Sequence, residues 1–433
     1  MKLSRYNVVK KEKENTYAFN TLHGVFAKIK TSLWEKMEAG NEAAIRAFLP
    51  AGFWVEDEAD ELDVYRYEYY RAVFNKETVS LVIAPTMNCN FACAYCYEKG
   101  YTLPGKMDAK VEDAIVRFLE ERRDKKISIH WFGGEPLMGF DTILSISKQL
   151  TDRNIAFEAV MTTNGSLFTD AMIAQLDELC IKIVKITLGG VGKAHDERRV
   201  SKNGNPSFDA IIAAIEKIMQ RTAVKINVMV TVDRTNTDVF HEVSGYLSRR
   251  FPDYMYNRIK MMVNSLFNMT DFEGSENCIT EEERSQFVKN LLLEDNIAHL
   301  SQVIPKRHTI CMYQWENSYT IDPSGALYNC FEQIGNPSFA VGNLLNSGIP
   351  VWQEAKAVFN DNPFDDAECR DCVLLPVCGS GCVMSKQRYR ARFGNEKKDC
   401  FFFKNTFADR LPKLYELKIK KKNEGLTDFV QDC

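Results

Sequence analysis

The chain has 433 residues, 45% of them hydrophobic and 26% charged, and a formal net charge of −4, which is an ordinary composition for a folded globular protein. The small negative charge gives no overall basic field, so neither nucleic acid nor an anionic membrane is expected as a partner. The start of the chain lacks the apolar stretch of a signal peptide. The sequence also contains no apolar run long enough to span a membrane. A cytoplasmic location is therefore expected.

Residues 1–76 predict a small α+β unit. Apolar and polar residues alternate with a period of two in short segments, which predicts strands at residues 6–9, 17–19 and 25–29. A helix is predicted to begin with Ser32 and Glu35 as a capping box and to end at Gly40. A second helix is predicted after Asp57.

Residues 77–304 alternate between apolar runs and stretches of helical periodicity. The apolar runs predict six strands, at residues 80–85, 127–132, 157–162, 181–187, 224–230 and 258–263. Six βα units in succession predict an α/β fold with a parallel sheet curled into a partial (β/α)6, TIM-like barrel. In such sheets the functional side chains lie at the carboxyl ends of the strands.

Residues 305–433 predict an irregular, cysteine-rich segment that ends in a polar helix around residues 411–422. The basic residues of this helix are interpreted as a solvated helix end rather than a binding patch. The chain is therefore expected to contain three units, at residues 1–76, 77–304 and 305–433.

Thirteen cysteines are the unusual feature of the composition. Disulfide-rich scaffolds are small secreted proteins, whereas clustered cysteines in a large cytosolic protein more often hold metals or take part in catalysis.

Cys89, Cys93 and Cys96 directly follow the first barrel strand, with the spacing C-x3-C-x2-C. Three thiolates can hold a 4Fe–4S cluster and leave one iron without a protein ligand. Structural zinc or plain buried thiols are the alternatives, but zinc generally takes four ligands and no fourth lies nearby.

This motif, with the aromatic Tyr95 before its last cysteine, resembles that of the radical S-adenosylmethionine (SAM) superfamily. The resemblance implies that the open iron binds SAM and that one electron from the cluster cleaves it to a 5′-deoxyadenosyl radical. The radical then abstracts a hydrogen atom from the substrate. A flavodoxin- or ferredoxin-type protein is the expected reductant.

Other residues match SAM-binding positions of the superfamily at the ends of the predicted strands. They belong to a GGEP sequence, a TNG sequence, a strand end with a hydroxyl, and a His-Asp-x-x-Arg sequence. The resemblance implies a SAM-binding set of Tyr95, Gly133, Gly134, Glu135, Pro136, Asn164, Thr187 and Arg199. Gly189 departs from the pattern, because relatives usually have Asp there. His195 is interpreted as a structural hydrogen-bonding residue.

Seven further cysteines are similar in order and spacing to the SPASM domain of radical SAM peptide-modifying enzymes. The resemblance implies two auxiliary 4Fe–4S clusters, and three clusters in all. The first would be held by Cys311, Cys330 and Cys382, and the second by Cys369, Cys372, Cys378 and Cys400. Residues 312–329 contain no cysteine that could be a fourth ligand of the first. Its fourth iron is expected to be open or to be reached by another residue, such as Cys278.

Two reaction classes share this architecture. Anaerobic sulfatase maturases oxidise Cys or Ser to formylglycine, whereas peptide maturases install cross-links in a ribosomally synthesised precursor. The sulfatase maturases carry Asp after the cysteine that matches Cys330, and this chain has Phe331 there, followed by Glu332. Glu332 is the candidate catalytic residue.

The N-terminal unit resembles the winged-helix-like leader-recognition element of peptide maturases, which adds the leader peptide as an extra strand. A packing extension without a binding role is the alternative. The favoured function is the formation of a thioether or carbon–carbon cross-link in a precursor peptide with a leader and a core. The alternatives are a sulfatase maturase and a non-enzymatic iron–sulfur electron carrier, which would need the cysteines but not the SAM-binding residues.

Overall fold

A computed structural model describes most of the chain. The described residues are 1–98, 105–255, 257–265, 275–293, 311–346, 359, 362–379, 381–394, 400 and 404–423. No helix in this part of the chain has the length and apolar character needed to span a membrane.

Residues 1–76 fold as a small sheet followed by helices. The strands are β1 (Lys2–Leu3), β2 (Asn7–Lys11), β3 (Asn15–Asn20), β4 (Val25–Lys30) and β5 (Trp54–Val55), and the helices are α1 (Thr31–Glu38), α2 (Glu42–Phe48) and α3 (Glu61–Val73). Strands β2, β3 and β4 form an antiparallel sheet in chain order, and β1 pairs with β5. The predicted strands and helices are confirmed, and α2 is an additional helix.

The start of α1 differs from the prediction. Its N-cap is Lys30, which makes no side-chain hydrogen bond to the helix, and Ser32 lies inside the first turn. The predicted capping box of Ser32 and Glu35 is therefore wrong, because β4 continues into the helix without a separate capping residue. The predicted helix end is confirmed, since Gly40 has a φ of +83°, in the left-handed region that favours glycine.

A largely parallel sheet forms the centre of the molecule. Its parallel strands are β6 (Thr78–Ile83), β7 (Lys126–Trp131), β8 (Phe157–Thr163), β9 (Ile181–Leu188), β10 (Lys225–Val232) and β11 (Ile259–Ser265). The intervening helices are α4 (Ala109–Glu120), α5 (Phe140–Asp152), α6 (Asp170–Gln175), α7 (Lys193–Arg198), α8 (Phe208–Arg221) and α9 (Val239–Arg250). Each strand pairs in parallel with the next, which confirms the predicted α/β fold with its partial barrel.

The two faces of the parallel sheet differ in character. Side chains such as Ile129, Val184 and Val228 join the main hydrophobic core beneath the helices. The alternate positions of the same strands face the other way and include the buried polar residues Lys185 and Asn227. This alternation is the one expected of an open barrel with helices outside and a polar interior.

The C-terminal part extends this sheet and adds short helices. Strand β12 (Ser318–Ile321) runs parallel to β6, and β13 (Ala326–Tyr328) and β14 (Gly342–Asn343) follow in antiparallel order. The helices are α10 (Glu281–Leu293), α11 (Ala367–Arg370), α12 (Leu375–Cys378), α13 (Val383–Phe393) and α14 (Phe407–Asn423). Short 3-10 turns occur at Leu49–Ala51, Pro136–Gly139, Ser275–Asn277, Met312–Gln314, Phe331–Gln333 and Pro337–Phe339.

Helix α14 confirms the polar helix predicted near residue 411, but it is more than a solvated helix end. Its apolar face lies on the N-terminal sheet. Tyr415 packs edge-on against Tyr17 and Phe26, and Phe407 packs against Phe19, with ring centroids 5.3 to 5.9 Å apart. The charged residues of the sequence concealed this apolar stripe, which joins the N-terminal unit to the C-terminal end of the chain.

Candidate active site

The first cysteine motif lies in the loop after β6, at the carboxyl edge of the parallel sheet. The segment after α7 holds this loop through two backbone hydrogen bonds, in which Ala92 N donates to Val200 O and Lys202 N donates to Asn90 O, both at 2.8 Å. Burial raises the pKa of the Cys89 thiol to about 11, and the nearby Cys93 and Cys96 thiols contribute to the rise. The loop thus gathers three thiols in a setting where thiolates without a cationic partner are unfavourable. This donor set fits an iron–sulfur cluster.

The two glycines of the GGEP sequence are required by close packing against the cysteine loop. A Cβ atom on Gly133 would lie 2.6 Å from Thr86 O, and one on Gly134 would lie 2.4 Å from Asn88 O. Real Cβ atoms do not approach backbone oxygens so closely, so any side chain here would displace the loop. The glycines therefore bring the end of β7 directly against the residues that precede the first cysteine.

Glu135 is a buried carboxylate that joins the ends of two strands. Its oxygens accept hydrogen bonds from Thr163 Oγ1 (2.5 Å), Asn164 N (2.7 Å) and Leu137 N (3.0 Å). Burial raises the pKa of Glu135, and these hydrogen bonds oppose the rise. A carboxylate offers about four lone-pair positions, so about one remains for an ammonium group such as that of SAM. Pro136, also buried, begins the short turn that follows.

Asn164 ties the end of β8 to the cysteine loop. Its Nδ2 donates to Asn90 Oδ1 (2.8 Å), and its Oδ1 accepts from Ser166 N (3.0 Å) and Ser166 Oγ (2.7 Å). The amide group is therefore largely occupied by protein partners, which suits a residue that positions the loop. Thr187 lies near the carboxyl end of β9, where it is 8% exposed and pairs in register with Met229 of β10.

Arg199 places a cation beside the first cysteine motif. Its Nη1 donates to Tyr95 Oη at 2.9 Å, and its guanidinium lies 5.6 Å from the centre of the Phe91 ring. Burial lowers the pKa of Arg199, but the neighbouring Tyr95 and the thiols of Cys93 and Cys89 outweigh that effect and raise it. A guanidinium fixed here is suited to an anionic cluster or to a ligand carboxylate.

The departure at Gly189 has a steric explanation. A Cβ atom at this position would lie 3.2 Å from Arg198 Cβ and 3.4 Å from Arg199 Cγ, so glycine leaves room for the Arg199 side chain. The backbone N–H of Gly189 donates to Nδ1 of His195 at 3.3 Å. Burial lowers the pKa of His195 to about 4, so the ring is neutral at neutral pH. His195 therefore acts as a hydrogen-bonding residue, as predicted.

The seven remaining predicted cluster cysteines form two groups in the structure. Burial raises the pKa of Cys330, and Cys311 and Cys382 are among the neighbours that add to the rise. Burial also raises the pKa of Cys378 to about 12, with contributions from the other members of its group, which are Cys369, Cys372 and Cys400. The same two groups of cysteines are the ones that the family resemblance implies. No three His, Cys, Asp or Glu side chains among the described residues are arranged to hold a single metal ion.

The cysteines outside the predicted cluster groups lie elsewhere. The described electrostatic neighbours of Cys278 are Asp233, Arg234 and Glu276, so the structure does not bring it to the first auxiliary group. Cys180 has a φ of +55°, is half-buried and packs against the main hydrophobic core. Cys433 lies outside the described residues.

Glu332 lies near the first auxiliary group and also near the first cysteine motif. Tyr97 follows Cys96, and its pKa is raised by burial, then by Glu98 and Glu332. Burial raises the pKa of Glu98 to about 7, and Glu135 adds to the rise. Tyr97 and Glu98 are therefore site residues that the sequence reasoning missed, although their position directly after the motif was a usable signal. A carboxyl group with a pKa near neutral can take or give a proton.

One family model matches the part of the chain that carries the first cysteine motif. The family model of the Radical SAM superfamily matches residues 83–243. The chain therefore contains a radical SAM domain, and this family implies SAM and a 4Fe–4S cluster as cofactors.

Two curated relatives span most of the chain. A cysteine-type anaerobic sulfatase-maturating enzyme of Clostridium novyi (strain NT) is 23% identical over 374 residues, which cover 78% of this chain and 96% of the relative. The radical SAM cyclopropyl synthase TigE of Paramaledivibacter caminithermalis is 19% identical over 465 residues, which cover 93% of this chain and 94% of the relative.

Solved structures share the fold. Native anSMEcpe with bound AdoMet and a peptide gives a TM-score of 0.60 at 18% identity and covers 79% of this chain and 99% of that chain. Streptococcus suis SuiB bound to the precursor peptide SuiA gives a TM-score of 0.52 at 13% identity. The matched region covers 89% of this chain and 96% of the SuiB chain. The α/β fold with its mostly parallel sheet is therefore that of radical SAM enzymes.

Proposed function

We propose that the chain is a radical SAM peptide maturase that installs a thioether or carbon–carbon cross-link in a ribosomally synthesised precursor peptide. One observation carries the peptide part of the proposal. Beside the radical SAM domain lies a three-stranded sheet followed by three helices, and no further strand pairs with the outer side of β4 among the described residues. An unpaired edge of this kind can accept an extended peptide as an additional strand.

The residues at the carboxyl edge of the barrel supply the SAM site of this proposal. When bound, SAM and the cluster at Cys89, Cys93 and Cys96 supply a 5′-deoxyadenosyl radical. Glu135 and Arg199 offer opposite charges that match the ammonium and carboxylate groups of the SAM amino acid. Thr187 and Tyr95 complete the site, and the two glycines keep it against the cysteine loop.

The two cysteine groups of the C-terminal part support the oxidative half of the reaction. Hydrogen abstraction leaves a carbon radical on the peptide, and closing a new bond to it requires the loss of one electron. A 4Fe–4S cluster held by Cys311, Cys330 and Cys382, or one held by the second group, would accept that electron. Glu332, near the first auxiliary group, is the proposed proton acceptor.

A sulfatase maturase is the second candidate, and the relative from Clostridium novyi favours it. The residue after Cys330 counts against it, because Phe331 packs on Phe132, with ring centroids 5.4 Å apart, and carries no carboxylate. Mass spectrometry separates the two candidates. A cross-linked peptide loses two hydrogens, keeps its sulfur and carries no aldehyde. Conversion of Cys to formylglycine removes sulfur, conversion of Ser removes two hydrogens, and both leave an aldehyde that reacts with a hydrazine probe.

Cysteine replacement tests the radical SAM site directly. We expect the anaerobically reconstituted, reduced protein to cleave SAM to 5′-deoxyadenosine. The triple variant with Cys89, Cys93 and Cys96 replaced by Ala should lose this activity while it keeps iron at the auxiliary sites. The measurements are 5′-deoxyadenosine by chromatography and iron per chain. Cleavage of SAM by the variant at the parent rate would refute the site, and no cleavage by the parent would favour an electron carrier.

A further inference from the structure

The N-terminal unit packs directly on the cysteine segment of the second auxiliary group. Tyr6 and Tyr65 belong to a buried cluster against which Cys369 and Cys372 pack. The contact joins the start of the chain to a segment more than 360 residues away, and both tyrosines are 0% exposed. The unit assigned to leader binding therefore also forms part of the wall around this cysteine group.

Hydrogen bonds hold the two segments together at this contact. Arg5 Nη2 donates to Arg370 O at 2.8 Å and to Asp371 Oδ1 at 3.1 Å. Thr21 Oγ1 donates to Val373 O at 2.5 Å. The backbone at residues 370–373 is thus held by Arg5 and Thr21, which lie in loops of the N-terminal unit.

The Tyr6 hydroxyl group is buried and has no hydrogen-bond partner among the described residues. An unsatisfied buried hydroxyl costs about 1–3 kcal/mol, so an acceptor is expected next to it. Cys372, a cysteine of the second group, packs against the buried cluster to which Tyr6 belongs. A sulfur atom of a cluster bound at this group would be the acceptor for the Tyr6 hydroxyl.

Lys404 approaches another cysteine of the same group. Its Nζ lies 3.7 Å from Cys400 Sγ and 2.7 Å from Glu368 Oε1, and its side chain is 33% exposed. A hydrogen-bonded ammonium group next to a ligating sulfur favours the more negative, reduced state of a cluster. The carboxylate of Glu368 offsets part of this charge.

We propose that Tyr6 and Lys404 donate hydrogen bonds to sulfur atoms of the second auxiliary cluster and thereby raise its reduction potential. This inference rests on the second auxiliary cluster of the proposed function. One-electron reduction adds a negative charge to the cluster, so donors and a cation stabilise the reduced form more than the oxidised form. A higher potential makes this cluster the better acceptor for the electron released when the peptide cross-link closes.

A redox titration of full-length protein followed by electron paramagnetic resonance tests the proposal. The background carries Ala at Cys89, Cys93 and Cys96, so that only the auxiliary sites contribute to the signal. Tyr6→Phe and Lys404→Met should each lower the midpoint potential of one auxiliary cluster. The expected decrease in the reduction constant is on the order of tenfold, or about 59 mV for a one-electron couple.

Three matched variants separate charge and hydrogen bonding from general damage. Glu368→Gln removes a negative charge next to Lys404 and should raise the same midpoint potential. Lys404→Arg keeps the cation, so its midpoint potential should stay close to that of the parent protein. Tyr17→Phe alters another buried tyrosine of the N-terminal unit, which packs on Tyr415 instead of the cysteine segment, and should leave the potential unchanged.

The outcomes separate this inference from the proposed function. Unchanged potentials in Tyr6→Phe and Lys404→Met, with iron content preserved, would overturn the inference alone. If Tyr6→Phe loses iron, the midpoint potentials of Lys404→Met and Lys404→Arg provide the test instead. A midpoint potential of Lys404→Met equal to that of the parent protein then overturns the inference. In the background protein, unchanged iron content after Ala replaces Cys369, Cys372, Cys378 and Cys400 would overturn the second auxiliary cluster and this inference with it.

Discussion

Arg199 shows how single residues set the geometry of the candidate site. Its side chain passes over Gly189, its guanidinium meets Tyr95 and the Phe91 ring, and the residues that follow it pair with the cysteine loop. One segment therefore fixes both the loop that carries the thiols and the cation beside them. The glycine that departs from the family pattern belongs to this arrangement, because a larger residue would displace the arginine.

Replacement of Gly189 tests this role. We expect Gly189→Ala to raise the KM for SAM roughly tenfold, because its Cβ would push on Arg198 and Arg199 and misplace the guanidinium. The measurement is the rate of 5′-deoxyadenosine formation against SAM concentration. Gly245→Ala is the matched control, since its Cβ would meet only the flexible end of Arg249, at 3.3 Å. Equal KM values for the two variants would show that Gly189 does not position the arginine.

At the scale of secondary structure, periodicity in the sequence predicted the strands well. The six barrel strands lie within about two residues of their predicted positions, because buried parallel strands are continuous apolar runs. Helix α2 was missed, since it is only seven residues long and buries a single residue, Ile45. The apolar face of α14 was missed because its partner, the N-terminal sheet, lies almost 400 residues earlier in the chain. Local patterns do not report such long-range contacts.

Some features of the candidate site were also predictable from the sequence, and others were not. The family resemblance, which motif spacing carries, predicted the grouping of the cysteines and the SAM-binding residues at strand ends, because a spacing is a local property of the chain. The hydrogen bonds of Asn164, the space above Gly189 and the approach of Tyr6 to the second cysteine group were not predictable. The first two depend on how loops of the barrel pack on one another, and the third depends on the packing of the N-terminal unit against the C-terminal part.

Strand β4 is the element on which leader binding depends, and hydrogen exchange tests it. We expect precursor peptide to slow amide exchange within Val25–Lys30, because an added strand would take up the outward N–H groups of this edge. Exchange in β2, at the other edge, should change less, because α14 packs beside it and Lys10 is paired with Asp409 at 2.7 Å. Peptides from the two strands, measured with and without precursor by mass spectrometry, give the comparison. Protection in β2 alone would place the leader elsewhere.

At the scale of the whole molecule, the N-terminal unit and the remainder of the chain share one core. Tyr17 and Phe19 belong to the same buried cluster as the barrel, and Leu411 and Leu414 of α14 complete it. The N-terminal unit also covers the second cysteine group. Removal of residues 1–76 would therefore expose α14 and the cysteine segment together, so the loss of leader binding in such a truncation would not be specific.

A substitution in the shared core shows whether the molecule unfolds as one unit. We expect Phe19→Ala to destabilise the protein by about 3–5 kcal/mol, since Phe19 is 4% exposed and packs on Phe26 and Phe407. Denaturant midpoints followed by circular dichroism and by iron–sulfur absorbance should shift together, because loss of the N-terminal contact also uncovers the second cysteine group. Phe74→Ala is the control, because the Phe74 side chain is 42% exposed. This substitution should lower the free energy of unfolding by less than about 1 kcal/mol. Two separated transitions in the Phe19 variant, with the absorbance midpoint unmoved, would mean that the N-terminal unit folds and unfolds independently of the clusters.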